Sequence, residues 1–223
     1  MKKKKKRIKK RRLKKTPKII LVILIMLILF LVLLLKFRKV NIYISGNTIL
    51  TDEEILSMIN YRESSTIDKL SINIKNKLEK NIYILKVSVN KKKLFGEIFI
   101  EIEENRPLYI YNEETILFSS EKTNDNFVIP KVTNTIPNDM YDKFFNKIKN
   151  IDSIILTRIS EIKYSPNEVD DKRFLLAMND GNYVYLTLNN FEKINNYLDI
   201  ISNFDGQKGI LYLDTGNYFE LKK

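Results

Sequence analysis

The sequence predicts an α+β protein that follows a single N-terminal transmembrane helix. Three observations support this fold class. Residues 19–35 form one apolar run of 17 residues, which is the length of a short membrane span. Later segments alternate apolar and polar residues, as half-buried strands do, and others repeat apolar residues at helical spacing. In chain order these patterns predict a β-α-α-β-β domain and then a mixed α/β domain built on an antiparallel-rich sheet.

Composition excludes most classes of catalytic site. The 223 residues include 0 Cys and 0 His, so the chain has no disulfide, thiol nucleophile, histidine base or histidine-ligated zinc. Its 6 Gly residues form neither GxGxxG nor a phosphate-binding loop ahead of Lys-Ser or Lys-Thr. We therefore predict that the protein is not an enzyme and that it binds no cofactor or metal.

The N-terminus has the charge pattern of a signal anchor. Residues 1–18 contain 13 Lys or Arg and no acidic residue, which predicts a basic cytoplasmic tail. Residues 19–36 form the predicted transmembrane anchor, whose apolar span begins at Ile19 and ends at Leu35. No small residue that would permit signal-peptide cleavage follows until Ser45. The excess of positive charge before the span predicts a single-pass type II protein of the cell membrane, with later residues outside.

The basic tail leaves an alternative open. A run of Lys and Arg could tether the chain to nucleic acid or to anionic lipid. The tail lacks the interleaved aromatic residues of a nucleic-acid-binding surface, so contact with membrane lipid is preferred and no nucleic-acid partner is expected. A tether of either kind predicts that function survives replacement of residues 40–223.

Residues 37–107 form the first predicted exterior domain. Thr51 and Glu54 have the spacing of a capping box, which defines the start of its first helix. Pro107 marks its end. Periodic patterns predict its other elements, which are a strand at 40–44, a second helix at about 71–80, strands at 85–89 and 97–103, and a hairpin turn at 91–96.

Residues 108–223 form the second predicted domain. Asp180-Gly181, between two apolar runs, is a strong hairpin signal. Two amphipathic helices are predicted from apolar residues at helical spacing, which are Tyr141, Phe144, Phe145 and Ile148 in one and Phe191, Ile194, Leu198 and Ile201 in the other. Alternating segments predict strands, which lie at 109–111, 116–118, 159–164, 174–178, 183–188, 210–214 and 218–221.

These segments, in this order, resemble the FtsQ/DivIB family of bacterial cell-division proteins. VNIYISGNTILTDEEI, a second helix that leads into LEKNIYILKVSVNKK, and the strand IFIEIEENRPLYIY are similar to a POTRA domain of that family. Asn81 and Asn105 depart from the pattern, because proline and arginine are usual there. The Asp180-Gly181 hairpin, a helix that begins with FEK, and a strand that contains Tyr212-Leu213-Asp214 resemble the β domain of the family.

The resemblance implies a non-catalytic scaffold of the divisome at the septum. Members of this family bind the bitopic division proteins FtsB (DivIC) and FtsL, act with other divisome components, and influence septal peptidoglycan synthesis. The resemblance also implies that a partner strand adds to the C-terminal sheet edge, at Asn217, Tyr218, Phe219, Glu220 and Leu221. A proline at Tyr218 would test this edge by removing one backbone donor. The strand at 40–44 is the next candidate.

One alternative belongs to a different functional class. An exterior cell-wall enzyme or a transport component could carry a POTRA-like module. A glycosidase of this kind needs two carboxylates that face one cleft, and the spacing of the acidic residues identifies no such pair. They are instead predicted in a helix first turn, at strand surfaces and in turns, namely at Asp52, Glu53, Glu54, Glu101, Glu103, Glu104, Glu113, Glu114, Asp170 and Asp171.

Overall fold

The computed structural model describes residues 15–36, 40–62, 73–92 and 95–222. The chain divides into two compact units, Met1–Glu104 and Asn105–Lys223. Three parts of the sequence-based predictions lie outside the described residues. They are residues 1–14 of the predicted basic tail, residues 37–39 at the start of the first predicted domain, and residues 71–72 and 93–94 of the predicted second helix and hairpin turn.

Helix α1 spans Lys15–Lys36 and contains the apolar run. Its side chains from residue 19 to residue 33 are exposed. Within the described residues, no helix is both long enough and apolar enough to cross a membrane.

After α1, the described elements of the first unit have the predicted order β-α-α-β-β. The elements are β1 (Asn41–Ser45), α2 (Asp52–Met58), α3 (Ile74–Leu78), β2 (Ile84–Lys92) and β3 (Glu97–Glu104). Strand β1 pairs in parallel with β3, and β2 pairs with β3 in the antiparallel sense. β3 is therefore the central strand of a three-stranded sheet. The core of this unit includes Ile55 of α2, Leu78 of α3 and Ile98 of β3.

Two elements of this unit differ from the prediction. Helix α3 begins at Ile74, because Asn73 before it has a left-handed backbone with φ of 70° and ends the helical path on that side. The hairpin turn is shorter than the predicted segment at 91–96. Lys91 and Lys92 pair with residues of β3 and thereby extend β2.

The start of α2 confirms the predicted capping box. The Thr51 hydroxyl accepts a hydrogen bond from the Glu54 amide at 3.3 Å, and the Glu54 carboxylate accepts one from the Thr51 amide at 2.8 Å. These two bonds satisfy backbone donors that the first helical turn leaves unpaired. The bonds from the Thr51 amide and hydroxyl also lower the pKa of Glu54.

A second carboxylate holds the loop between β1 and α2. Glu104, at the end of β3, accepts hydrogen bonds from the backbone amides of residues 48–50 at 2.8–2.9 Å and from the Thr48 hydroxyl at 2.6 Å. Gly46 begins this loop with φ of +85°, and a Cβ there would lie 2.1 Å from the carbonyl oxygen of Ile102. The loop therefore follows β3 closely, and Glu104 is a structural clamp rather than the solvated strand end that the sequence predicted.

The second unit is built on a 9-stranded sheet. Its strands are β4 (Pro107–Tyr111), β5 (Glu114–Leu117), β6 (Lys122–Thr123), β7 (Lys131–Val132), β8 (Ile159–Tyr164), β9 (Arg173–Met178), β10 (Tyr183–Thr187), β11 (Gly209–Tyr212) and β12 (Tyr218–Leu221). Their order across the sheet is β12-β11-β10-β9-β8-β7-β4-β5-β6. Most neighbours are antiparallel, as predicted, and the parallel pairs are β10–β11, β7–β8 and β4–β7.

Helices cover the core side of this sheet. They are α4 (Asn138–Ile148), α5 (Ser153–Leu156) and α6 (Tyr197–Ile201), with 3₁₀ helices at Leu188–Asn196 and Ser202–Phe204. The predicted inward face of α4 is confirmed by the burial of Phe144 and Ile148. Phe144 stacks on Phe174 of β9 with ring centroids 5.3 Å apart. Phe191 lies edge-on to both rings. Helix α5 was not predicted.

The predicted helix through residues 191–201 has a different period in the structure. Its first part is a 3₁₀ helix, which has three residues per turn rather than 3.6. The buried side chains accordingly recur at every third position, at Leu188, Phe191, Ile194 and Tyr197. The prediction that Leu198 lies on the inward face is wrong, since this side chain is exposed and its neighbour Tyr197 is buried.

Buried Tyr197 joins three elements of the second unit. Its hydroxyl donates to the Asp180 carboxylate at 2.7 Å and accepts from the Asn182 side-chain amide at 2.9 Å. The Asn182 side-chain oxygen in turn accepts the Gly209 amide of β11 at 2.9 Å. Burial, followed by the bond to Asp180, raises the pKa of Tyr197. The network ties the Asp180-Gly181 hairpin to the helix and to the strand next to the sheet edge.

Candidate functional site

Strand β12 lies at one edge of the sheet of the second unit. In the described part of the chain its one neighbour is β11, to which it pairs in the antiparallel sense. Four of the residues predicted to bind a partner form this strand, namely Tyr218, Phe219, Glu220 and Leu221. The fifth, Asn217, is exposed and precedes the strand.

The backbone amides and carbonyls of successive β12 residues point alternately towards β11 and away from it. The amide of Lys222 donates to the carbonyl of Lys208 at 2.9 Å, so this opposed pair is hydrogen-bonded. In an antiparallel ladder such pairs recur at every second residue. Tyr218 and Glu220 therefore bond towards β11, while the amides and carbonyls of Phe219 and Leu221 point outward. The informative position for a proline is thus Leu221, not Tyr218.

The side of β12 that faces the core is apolar, and the strand lies close to its neighbour β11. Phe219 packs against the core and meets Phe204 with ring centroids 4.3 Å apart. Gly209 of β11, which pairs with Leu221, has no room for a side chain, because a Cβ would lie 2.1 Å from the carbonyl oxygen of Glu220. Leu221 follows on the same side and is 50% exposed. An added strand would find apolar surface here.

The outer side of the sheet carries a ladder of three tyrosines. Tyr185 of β10 stacks on Tyr212 of β11 at 5.5 Å, and Tyr212 stacks on Tyr218 of β12 at 4.5 Å. The Tyr212 hydroxyl donates to the Glu220 carboxylate at 3.1 Å. Burial, followed by this bond, raises the pKa of Tyr212. We call Tyr185, Tyr212 and Tyr218 the tyrosine ladder.

A buried ion pair anchors the inner end of the tyrosine ladder. The Arg173 guanidinium lies 3.5 Å from the centroid of the Tyr185 ring, and its Nε donates to Asp214 Oδ2 at 2.6 Å. The Asp214 side chain is 2% exposed. Burial alone would raise the pKa of Asp214, but the bonds from Arg173 and from the Thr215 amide outweigh it and lower that pKa.

Sequence reasoning missed the partners in this ion pair. Asp214 belongs to the Tyr212-Leu213-Asp214 motif. It was predicted to be the last residue of its strand, but β11 ends at Tyr212 and Asp214 lies after it. Arg173 is 41 residues away in sequence, and no local pattern connects the two. The available signal was one basic residue in β9 and one acidic residue after β11, the two strands that flank β10.

The two family departures also have structural roles. Asn81 accepts the Tyr83 amide through its side-chain oxygen at 2.8 Å, which closes a turn before β2. Buried Asn105 accepts the Ser119 amide at 2.8 Å and donates to Ser119 and Glu121. Side-chain amides of this kind stabilise turns by imitating backbone groups.

Other candidate positions belong to the first unit. Strand β1, at the prediction for residues 40–44, is an edge strand of the first sheet, and its Tyr43 stacks on Phe99 at 4.9 Å. Lys92 lies over the same Phe99 ring. In the portion of the chain that the structure describes, no group of three or more acidic residues is placed to hold a metal ion.

Comparisons with known proteins agree with the resemblance. Residues 37–105 match the family model of the POTRA domain, FtsQ-type. Cell division protein DivIB of Geobacillus kaustophilus is 27% identical over 194 residues, which are 80% of this chain and 73% of that protein. Cell division protein FtsQ of Rickettsia bellii is 25% identical over 179 residues, which are 75% of this chain and 64% of that protein.

The solved structures to which the chain is similar include one of a DivIB protein. It is the major extracytoplasmic domain of the trans isomer of the cell division protein DivIB from Geobacillus stearothermophilus, at 22% identity and a TM-score of 0.36. The match covers 45% of this chain and 93% of that one. The chain therefore carries an FtsQ-type POTRA domain and is similar along most of its length to the cell division proteins DivIB and FtsQ.

Proposed function

We propose that the protein is a non-catalytic scaffold of the bacterial divisome that binds FtsB/DivIC-like and FtsL-like proteins by strand addition to β12. Through these partners it helps to control septal peptidoglycan synthesis. The observation that carries the proposal is the free edge, where the amides and carbonyls of Phe219 and Leu221 point away from β11. An edge of this kind accepts a further strand.

The edge offers the two features that strand addition needs, namely free backbone groups for affinity and exposed side chains for specificity. Backbone bonds to Phe219 and Leu221 would supply affinity, at about 1 kcal/mol net for each bond. The side chains that alternate between the two faces of β12 would supply specificity. No proline interrupts β12, and Lys222 lies beyond its end, so neither a proline nor a lysine within the strand blocks pairing.

Replacing Leu221 by proline is expected to weaken partner binding at least tenfold, or by about 1.4 kcal/mol. The substitution removes an outward amide and leaves the bonds to β11 in place, as prolines at sheet edges do. The measurement is the affinity of the full-length protein for the exterior segment of the DivIC-like partner from the same organism.

Leu221→Ala is the matched control, because it shortens the side chain but retains the amide. It should bind more tightly than Leu221→Pro. Unchanged affinity of a folded Leu221→Pro protein would place the partner elsewhere, and β1 would become the next site to test.

We also propose that residues 19–35 anchor the protein in the cell membrane with the N-terminus in the cytoplasm. The 13 basic residues before this run support that orientation. A reporter enzyme that is active only outside the cytoplasm, fused after Lys223, should be active. The same fusion without residues 19–35 should be inactive. An inactive full-length fusion would contradict the orientation.

A further inference from the structure

We propose that the β12 edge selects a partner strand that places an arginine against Tyr218 and Glu220 on the outer face of the sheet. This inference rests on the proposed function and adds the side-chain chemistry of the partner. Three features support it: the tyrosine ladder, the Glu220 carboxylate oxygen that accepts no hydrogen bond within the described residues, and the side chains of β12 that alternate between the two faces of the sheet.

The tyrosine ladder ends on an open ring face. Neighbouring strands lie about 4.8 Å apart, which is why successive rings of the ladder stack at 5.5 and 4.5 Å. A strand added beyond β12 would bring its own side chain to the same distance from Tyr218. That ring is 51% exposed, so a planar group can cover it.

The inner end of the ladder already shows which planar group fits. There the Arg173 guanidinium covers Tyr185 at 3.5 Å. A guanidinium stacks on an aromatic ring through both its plane and its charge. A second guanidinium at the outer end would enclose the three rings between two cations.

Glu220 favours a cation over a neutral aromatic ring at this position. It lies on the same face as Tyr218, and one of its oxygens, Oε2, accepts the Tyr212 hydroxyl. Within the described residues, the other oxygen accepts no hydrogen bond and Glu220 forms no ion pair. A long side chain opposite Tyr218 can reach the diagonal position on β12. Arginine can both stack on the ring and donate to this carboxylate. Phenylalanine would desolvate the carboxylate without a donor, and tyrosine would donate to it without a compensating charge.

The other face of β12 defines the remainder of the partner pattern. Phe219 and Leu221 point to the core side, where the neighbouring surface is apolar. Residues on either side of the arginine in the partner should therefore be apolar. The expected partner is an extended segment with apolar residues at every second position and an arginine on the opposite face.

A display library of short linear peptides tests this pattern. The bait is the full-length protein in detergent micelles, and the same selection is run against Leu221→Pro, Tyr218→Leu, Tyr218→Phe and Glu220→Gln. Peptides that bind the wild type but not Leu221→Pro are edge-dependent. We expect these peptides to contain arginine in excess, flanked by apolar residues.

The matched comparison is between each edge-dependent peptide and the same peptide with its arginine replaced by leucine. The leucine peptide should bind about tenfold more weakly to the wild-type protein. This difference should persist with Tyr218→Phe and should shrink with Tyr218→Leu and with Glu220→Gln. Together these results support the inference.

Two outcomes overturn it, and they are distinguishable. Edge-dependent peptides without an arginine excess, or with the same arginine preference on Tyr218→Leu, refute the side-chain chemistry and leave strand addition intact. If no peptide distinguishes the wild type from a folded Leu221→Pro protein, strand addition at β12 fails, and the inference fails with it.

Discussion

Replacing Asp214 by alanine should destabilise the second unit by about 3 kcal/mol. The change leaves the Arg173 guanidinium, which is 14% exposed, without its carboxylate partner in a mostly buried position. An uncompensated buried charge is much more costly than the loss of the pair itself. Urea unfolding, followed by hydrogen–deuterium exchange of peptides from β9 to β12, measures this loss.

Two variants make the Asp214 test specific. Asp171→Ala, in an exposed turn, removes the same group without a buried partner and should change stability by less than about 0.5 kcal/mol. Replacing Arg173 and Asp214 together by leucines should restore part of the loss, because no buried charge remains. A loss of less than about 1 kcal/mol in Asp214→Ala would contradict a stabilising role for the pair.

The ion pair also predicts a pH dependence. The pKa of Asp214 is lowered in the folded state, so the pair stabilises the fold above the unfolded-state pKa of about 3.9. This contribution is lost as the pH falls through the folded-state pKa. The stability difference between the wild type and Asp214→Ala should therefore narrow below about pH 4. A difference that stays constant down to pH 2 would contradict this linkage.

The second large effect is expected in the first unit, from Glu104→Ala. This variant removes the acceptor for the amides of residues 48–50 and for the Thr48 hydroxyl. Hydrogen bonds to a charged group are among the stronger ones in proteins, and we expect a loss of about 2 kcal/mol. Faster hydrogen exchange of these three amides would report the release of the loop directly.

Glu103→Ala is the matched control for the clamp. Glu103 is adjacent in sequence and exposed on β3, and its replacement should change stability by less than about 0.5 kcal/mol. Equal effects of Glu103→Ala and Glu104→Ala would show that the loop is held by other contacts.

The parts of the fold that were predicted from sequence are those with a local physical cause. The capping box at Thr51 and Glu54 involves residues three apart, and all the strands except β6 and β7 were predicted from short apolar and alternating segments. The edge position of β12 was predicted from the resemblance and from its being the final strand predicted in the sequence. These signals all lie within a few residues of the structure that they predict.

The parts that were missed depend on contacts between distant residues or on an unusual period. Glu104 and the loop at 48–50 are more than fifty residues apart, and a lone glutamate at a strand end is usually solvated. The inward face of the 191–201 segment was misplaced at Leu198 because helical spacing of 3.6 was assumed for a 3₁₀ helix. The outward direction of Leu221 depends on the ladder register, which the sequence does not contain.

The tyrosine ladder gives the β12 edge a spectroscopic signal of its own. The chain contains 12 Tyr and 0 Trp, so no indole band covers tyrosine absorption in the near ultraviolet. Rings stacked at 4.5 and 5.5 Å in a fixed chiral arrangement contribute to near-ultraviolet circular dichroism, which depends on ordered side-chain packing. A strand that covers Tyr218 would change the surroundings of the outermost chromophore. Occupancy of β12 can therefore be followed spectroscopically in the unlabelled protein, with any partner that contains neither tyrosine nor tryptophan.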